Sequence, residues 1–318
     1  MATCMAFSML KTCAIMCTNR TKTPLSSRSL QSGSTTEKGW DVAEGSSKRT
    51  VVCMDALEWM MQSENEGLKG GMFVGSVLTS LPDISELQFP QVSEGEKLER
   101  YKGWFVDTAA MILNRIPAGQ FAIFYQSDVR VCTKEGQVED WIDKAALCYE
   151  ASKRTSCKQL WHKYALTCSP GTRSVGRPTL SHIVCFSNGA TYKRDRFPAP
   201  DVFYRGEMIW PRAIGLDACV LCLAFLRNLG NVSTVIDPFC GRGTTLAVAN
   251  ALGMDAVGVE LSPKRCRIAT SLSLEEKISG SSRLDPKQRG KHGIPRLLFD
   301  TPKKSGSPGR ARSSEEEE

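Results

Sequence analysis

The stretch VIDPFCGRGTTLAVANALGMDAVGVELSPKRCRIA, Val235 to Ala269, decides how the chain folds. It opens on an apolar pair, Val235 and Ile236, that ends at Asp237-Pro238 as a buried strand does. A glycine turn follows, Phe239-Cys240-Gly241-Arg242-Gly243, and then a helix-forming segment from Thr244 to Leu252. A second apolar strand, Ala256 to Val259, ends at Glu260. Strand, glycine loop, helix, strand and acid is the βαβ order that holds an adenosine-containing cofactor. The glycines let the backbone approach the ligand, and the acid suits a ribose diol. The interval from Gly243 to Glu260 is close to the roughly 20 residues expected for that acid.

The loop contains neither GxGxxG nor GxxxxGK[ST], which disfavours a dinucleotide or an NTP. DPFCGRGTT instead resembles the S-adenosyl-L-methionine (AdoMet) motif of the amino methyltransferases, the DNA methylase N-4/N-6 family. VGVELSPKRCRIA is similar to that family's second motif. The resemblance implies AdoMet as cofactor. It also implies an α/β fold of the class I (Rossmann-like) methyltransferase type, a mostly parallel sheet with an antiparallel edge hairpin. On it, Asp237, Gly241 and Gly243 form the methionine-side loop, with Pro238, Phe239 and Thr244 among the cofactor-binding residues, and Glu260 holds the ribose.

At 318 residues and 41% hydrophobic, the chain can bury one sizeable core, one domain with tails. A formal charge of +7 permits a polyanionic partner without requiring one. Thirteen cysteines, odd in number and dispersed through apolar segments, argue for free thiols in a reducing compartment rather than a disulfide framework. Cys219-x-x-Cys222 has no second CxxC and lies in an apolar helical run, which reads as packing, and Cys157, His162 and Cys168 fit no zinc spacing. No structural metal is expected. No apolar run approaches the ~18 residues of a membrane span, so no membrane partner is expected either.

The methyltransferase domain is expected over 50–279. From Met1 to Thr36 there is no Asp or Glu, while Lys11, Arg20, Lys22 and Arg28 are basic and Ser and Thr are frequent. Within the N-terminal segment 1–49 that composition is that of an organellar transit peptide, for chloroplast or mitochondrion. The bland reading is a disordered tail on an intracellular protein of cytoplasm or nucleus. The segment 280–318, basic and rich in Pro, Gly and Ser before four glutamates, is expected to be disordered.

Between the tails, Thr50 to Asp55 reads as a buried strand ending in an acid, followed by a short helix over Ala56 to Gln62. In the resembled family a strand-end Asp here contacts the adenine, which makes Asp55 the candidate; helix N-capping competes, and both can hold. Met72 to Ser80 reads as a strand, Gly95 to Arg115 as a helix with apolar residues at helical spacing, and Gln120 to Tyr125 as a buried strand. A helix is expected over Asp140 to Thr155, with Trp141 on its apolar side. Leu160–Thr167 and Leu180–Phe186 suggest an antiparallel hairpin at a sheet edge. Thr191 to Arg212 interleaves basic residues with Tyr192, Phe197, Phe203, Tyr204 and Trp210, which suits nucleic-acid contact. An ordinary surface loop is the alternative. Gly215 to Arg227 is an apolar helix leading into the opening stretch.

The cofactor loop usually opens a class I domain, and here it nearly closes it. The resembled family includes circularly permuted groups with the catalytic half first, and this motif order resembles them. Trp210-Pro211-Arg212 then stands where the family has HP-x-x-KP, with the proline kept and Trp210 in place of His. The family's [DNS]-P-P-[YFW] tetrapeptide is expected after the Met72–Ser80 strand, where this chain has Ser80-Leu81-Pro82-Asp83. Ser80 and Pro82 fit, Leu81 replaces a proline, and Asp83 replaces the aromatic ring that stacks on a flipped base. Phe203 or Tyr204 are candidates to supply a ring instead. The catalytic candidates are therefore Ser80, Pro82 and Asp83, although Asp83 also fits an N-capped turn.

The leading expectation is an AdoMet-dependent methyltransferase acting on an exocyclic amino group of a base in nucleic acid, RNA slightly ahead of DNA because the tetrapeptide departs from the DNA enzymes. The rivals are a methyltransferase for protein or a small molecule, and a catalytically silent nucleic-acid-binding protein of the same fold. The sequence leaves the oligomeric state open.

Overall fold

The computed structural model describes residues 47–90, 93–193 and 199–274. The expectations for the N-terminal segment over Met1–Thr36, for the C-terminal tail and for Phe197 lie outside them. The first half of the chain supplies β1 (Arg49–Cys53), α1 (Ala56–Met60), the short β2 (Leu68–Lys69) and β3 (Met72–Phe73), β4 (Ser76–Thr79), a 3-10 turn (Ile84–Glu86), α2 (Glu94–Asn114) and β5 (Phe121–Gln126). Then come β6 (Val129–Cys132), β7 (Val138–Ile142), α3 (Lys144–Ser152), β8 (Lys158–Leu166), β9 (Leu180–Ser187) and β10 (Val202–Tyr204). The last third gives α4 (Leu216–Leu229), β11 (Thr234–Asp237), α5 (Thr244–Ala251), β12 (Asp255–Glu260) and α6 (Pro263–Ser271).

Eight strands form one sheet in the order β1-β12-β11-β4-β5-β9-β8-β10. β1, β12, β11, β4 and β5 pair in parallel, β9 runs antiparallel to both β5 and β8, and β10 pairs parallel to β8. The β8–β9 hairpin thus lies toward one end of a mostly parallel sheet, with β10 added outside it. That extra strand uses part of the Thr191–Arg212 stretch, whose basic and aromatic composition suggested a contact loop instead.

Both faces of the sheet are covered, which is why its strands read as unbroken apolar runs. Alternation along β5 shows the division: Phe121, Ile123 and Tyr125 join α4, α5 and α6 in one core, whereas Ala122 and Phe124 join α1, α2 and α3 in the other. Cys219 and Cys222 are fully buried in the first core, as packing requires. Side chains cap the helices: Ser93 accepts from Glu96 N–H at 3.3 Å before α2, and Asp143 from Ala146 N–H at 2.8 Å before α3. Trp141, expected on a helix, lies in β7, so that helix starts later than the sequence suggests.

The strand expected over Met72 to Ser80 is broken at Val74-Gly75. A Cβ on Gly75 would lie 2.1 Å from the Thr234 carbonyl oxygen, so only glycine lets β4 enter the sheet beside β11. Gly75→Ala is expected to lower stability by about 2–3 kcal/mol, read from the urea unfolding midpoint; an unchanged midpoint contradicts this packing.

Candidate active site

The carboxyl ends of the parallel strands β1, β12, β11 and β4 open on one cleft of about 530 Å³, where open α/β sheets bind ligands. Its lining joins both ends of the sequence: Asp55, Ser80 and Pro82 from the first part, and Asp237, Pro238, Phe239, Gly241, Thr244 and Glu260 from the last.

Asp237 is buried at the end of β11. Its Oδ1 accepts from the Thr79 hydroxyl at 2.7 Å and from Phe239 N–H at 3.2 Å, an Asx-type turn that starts the glycine loop. Burial pushes its carboxyl from an ordinary 3.8 up to about 6, against the pull of its hydrogen bonds with Thr79 and Thr245. Gly243, at φ +83°, turns the chain into α5, and a Cβ there would meet Ala269 Cα at 2.8 Å. The loop therefore needs glycine for conformation and for its contact with α6. Thr244 follows with a buried hydroxyl that has no hydrogen-bond partner among the described residues.

Glu260 ends β12 beside Cys53, the last residue of β1. Its Oε1 accepts from Ser262 N–H at 2.8 Å with the Arg265 guanidinium 3.8 Å away, and burial raises its carboxyl. Asp55 caps α1 through Oδ1, accepting from Leu57 N–H at 2.8 Å and Glu58 N–H at 3.1 Å. Capping occupies one of its two oxygens, and the residue also lines the cleft. The donor set suits AdoMet: an orphaned hydroxyl, a desolvated carboxylate that a ligand cation would offset, and a strand-end acid for a diol.

The acceptor side differs from expectation at one residue. Ser80 and Pro82 line the cleft, and the Tyr101 hydroxyl donates to the Pro82 carbonyl at 3.1 Å. Asp83 does not line it. Its carboxylate is ion-paired with the Lys144 ammonium at the start of α3, a lysine whose side chain is 1% exposed against 35% for Asp83. A buried ammonium requires a carboxylate, and Asp83 meets that need instead of facing a substrate. The pair anchors the corner that presents Ser80.

The ring lost from the tetrapeptide is not replaced by Phe203 or Tyr204. Phe203 is buried in the α4-side core, and the Tyr204 hydroxyl lies 3.3 Å from Ser169 Oγ; neither lines the cleft. The cleft's rings are Trp104, Tyr125, Trp210 and Phe239. Trp104 packs edge-on to Phe239 at 6.3 Å and stacks on Tyr101 at 6.2 Å. Sequence reasoning passed over Trp104 because it sits in a helix whose periodicity looked purely structural. Glu86, Arg212 and Arg242 also line the cleft.

Among the described residues one group has metal-ligand chemistry, Asp128, Asp143 and His182, with ligand atoms within 4.8 Å of one another. Those atoms have protein partners. Asp128 Oδ2 accepts from the Trp141 indole at 3.0 Å and lies 3.0 Å from His182 Nε2, and His182 Nδ1 is 3.0 Å from His162 Nε2. Among those residues no helix is long and apolar enough to cross a membrane.

Comparison with known proteins bears on this geometry. Residues 228–271 match the family model described as DNA methylase. A cytosine-N4-specific PvuII DNA methyltransferase is similar in structure at 16% identity, covering 74% of this chain and 91% of that one, with a TM-score of 0.54. A putative DNA modification methylase from Thermus thermophilus, solved with AdoMet, is 18% identical over 68% of this chain and 90% of its own, with a TM-score of 0.49. No match is found among curated protein sequences. The fold is that of a class I methyltransferase. The segment that carries the cofactor loop matches the N-4/N-6 DNA methylase family model.

Removing either member of the anchoring ion pair has unequal consequences. Asp83→Asn leaves the Lys144 ammonium buried without a carboxylate and is expected to cost about 3 kcal/mol. Lys144→Met leaves a half-exposed carboxylate that water can solvate, and costs less. Denaturant titration of both variants checks the order, and equal losses contradict it.

Proposed function

We propose that this chain transfers the methyl group of AdoMet to an exocyclic amino group of a base in DNA. The observation that carries the reading is the meeting, in one cleft, of the glycine loop after β11 with the Ser80-Leu81-Pro82 corner after β4, on adjacent strands. DNA is favoured by the family description matched at 228–271. The preference for RNA drawn from the altered tetrapeptide finds no support among the relatives, and DNA takes its place. We also read the motif order as a circular permutation. It is supported by β1 and β4, early in the chain, flanking the late pair β12 and β11.

Bound AdoMet supplies a methyl group made electrophilic by its sulfonium sulfur. Asp237 and the Thr244 hydroxyl would hold the methionine end, Glu260 the ribose, and Asp55 the adenine. The Ser80 hydroxyl would accept a hydrogen bond from the acceptor amine, turning the nitrogen lone pair toward the methyl carbon. Pro82, held by Tyr101, fixes the corner that carries Ser80. A carbon–nitrogen bond forms as the carbon–sulfur bond breaks, and the amine then releases a proton to solvent. Alignment contributes most, because an sp² amine needs orientation more than a strong base.

Purified protein given labelled AdoMet with duplex DNA, RNA or protein is expected to label DNA, and the nucleosides to contain N4-methylcytosine or N6-methyladenine. Ser80→Ala should slow transfer by about tenfold or more, within the range for a positioned polar group. Label in RNA or protein alone, or in none of the three, would refute the reading.

A further inference from the structure

The turn Trp210-Pro211-Arg212 lines the cleft beside the corner that presents Ser80, and three observations single it out. Arg212 has φ +74°, a left-handed conformation that a side chain with a Cβ seldom adopts. Strain of this kind is kept where the surroundings impose it, often at ligand sites. Its guanidinium, on a side chain 46% exposed, lies 2.9 Å from Glu86 Oε1. Glu86 Oε2 in turn accepts from Asp83 N–H at 3.1 Å. One carboxylate therefore ties the turn to the corner that presents Ser80.

Beside Arg212, Trp210 carries the Arg242 guanidinium of the glycine loop 5.6 Å from its ring centroid. That contact brings the indole to a side chain of the glycine loop. Among the cleft's rings, Tyr125 is buried and Trp104 and Phe239 are engaged with each other. Trp210 is half-exposed, and its ring meets the exposed side chain of Arg242.

We propose that this turn is an acceptor clamp: Trp210 stacks on the target base in place of the ring missing at Asp83, and Arg212 exchanges Glu86 for a phosphate of the same DNA strand. The clamp rests on the DNA reading given above. An ion pair this exposed is weak in water, so giving it up costs little, and a guanidinium fits a phosphate through two parallel hydrogen bonds. Glu86, once released, remains hydrogen-bonded to Asp83 N–H, so the corner keeps its shape while the turn engages DNA. Before DNA arrives, the same carboxylate holds the guanidinium at the cleft.

The test uses the full chain with a duplex oligonucleotide that the wild type methylates, and reads AdoMet affinity, DNA affinity across a salt series, and KM and kcat. Arg212→Gly suits the left-handed backbone and should fold at least as stably as wild type. It is expected to keep AdoMet affinity, weaken DNA binding by about tenfold, and make the log–log salt dependence shallower by about one. Arg212→Lys should retain the salt slope, and Glu86→Gln should tighten DNA binding. Trp210→Leu should raise KM by about tenfold or more, with Trp210→Phe restoring most of it. If wild type methylates DNA while Arg212→Gly and Trp210→Leu leave DNA affinity, salt slope and KM unchanged, the clamp is wrong and the DNA reading stands. If wild type methylates no DNA, both fall.

Discussion

The hydrogen bond from the Thr79 hydroxyl to Asp237 Oδ1, 2.7 Å long and buried, joins segments 158 residues apart. It ties the end of β4, where the acceptor corner begins, to the end of β11, where the cofactor loop begins. The same carboxylate oxygen also fixes the loop's first turn through Phe239 N–H. Two motifs that must face each other for methyl transfer are thus set from a single side chain. The cost is a carboxylate taken out of water and raised to about 6. Free protein consequently loses stability as pH rises from about 4 to about 6, where the unfolded chain ionises Asp237 before the folded one does. A ligand cation bound beside Asp237 would offset that penalty.

Polar ties extend outward from this point. Lys144 pins Asp83, Tyr101 holds the Pro82 carbonyl, and Glu86 connects Asp83 N–H to Arg212. The cleft's acceptor wall is therefore assembled from α2, α3, the 3-10 turn and the 210–212 turn, none of which belongs to the cofactor-binding βαβ unit. Variation in those four pieces can reshape the acceptor wall while the cofactor loop stays as it is.

How much of this was legible in the sequence depended on range. Continuous apolar runs announced β5, β11 and β12, because strands covered on both faces leave no polar alternation to misread. Glycine at 241 and 243 and the acid at 260 marked the loop, because local backbone demands leave local residues. Asp83 was only partly legible: its place as N-cap of the 3-10 turn is local, whereas its ion pair is not. Its partner, Lys144, is 61 residues away, and nothing near Asp83 signals that a buried ammonium will claim it. β10 was read as a contact loop because Val202–Tyr204 sits among prolines and cations, and its pairing with β8 is set by tertiary contact. Val129–Ile142 pairs as a small β-ribbon that periodicity did not reveal, because one of its strands is largely solvated.

Methyl transfer as proposed depends most directly on Asp237 as the buried acid that receives the cationic end of AdoMet. Calorimetric titration of AdoMet into wild type and Asp237→Asn, at pH 5 and pH 7, tests that role. Wild type should bind about tenfold more weakly at pH 5, because a carboxyl near 6 is then mostly protonated. Asp237→Asn should bind weakly at both. Equal wild-type affinity at the two pH values, or undiminished binding by Asp237→Asn, would contradict it.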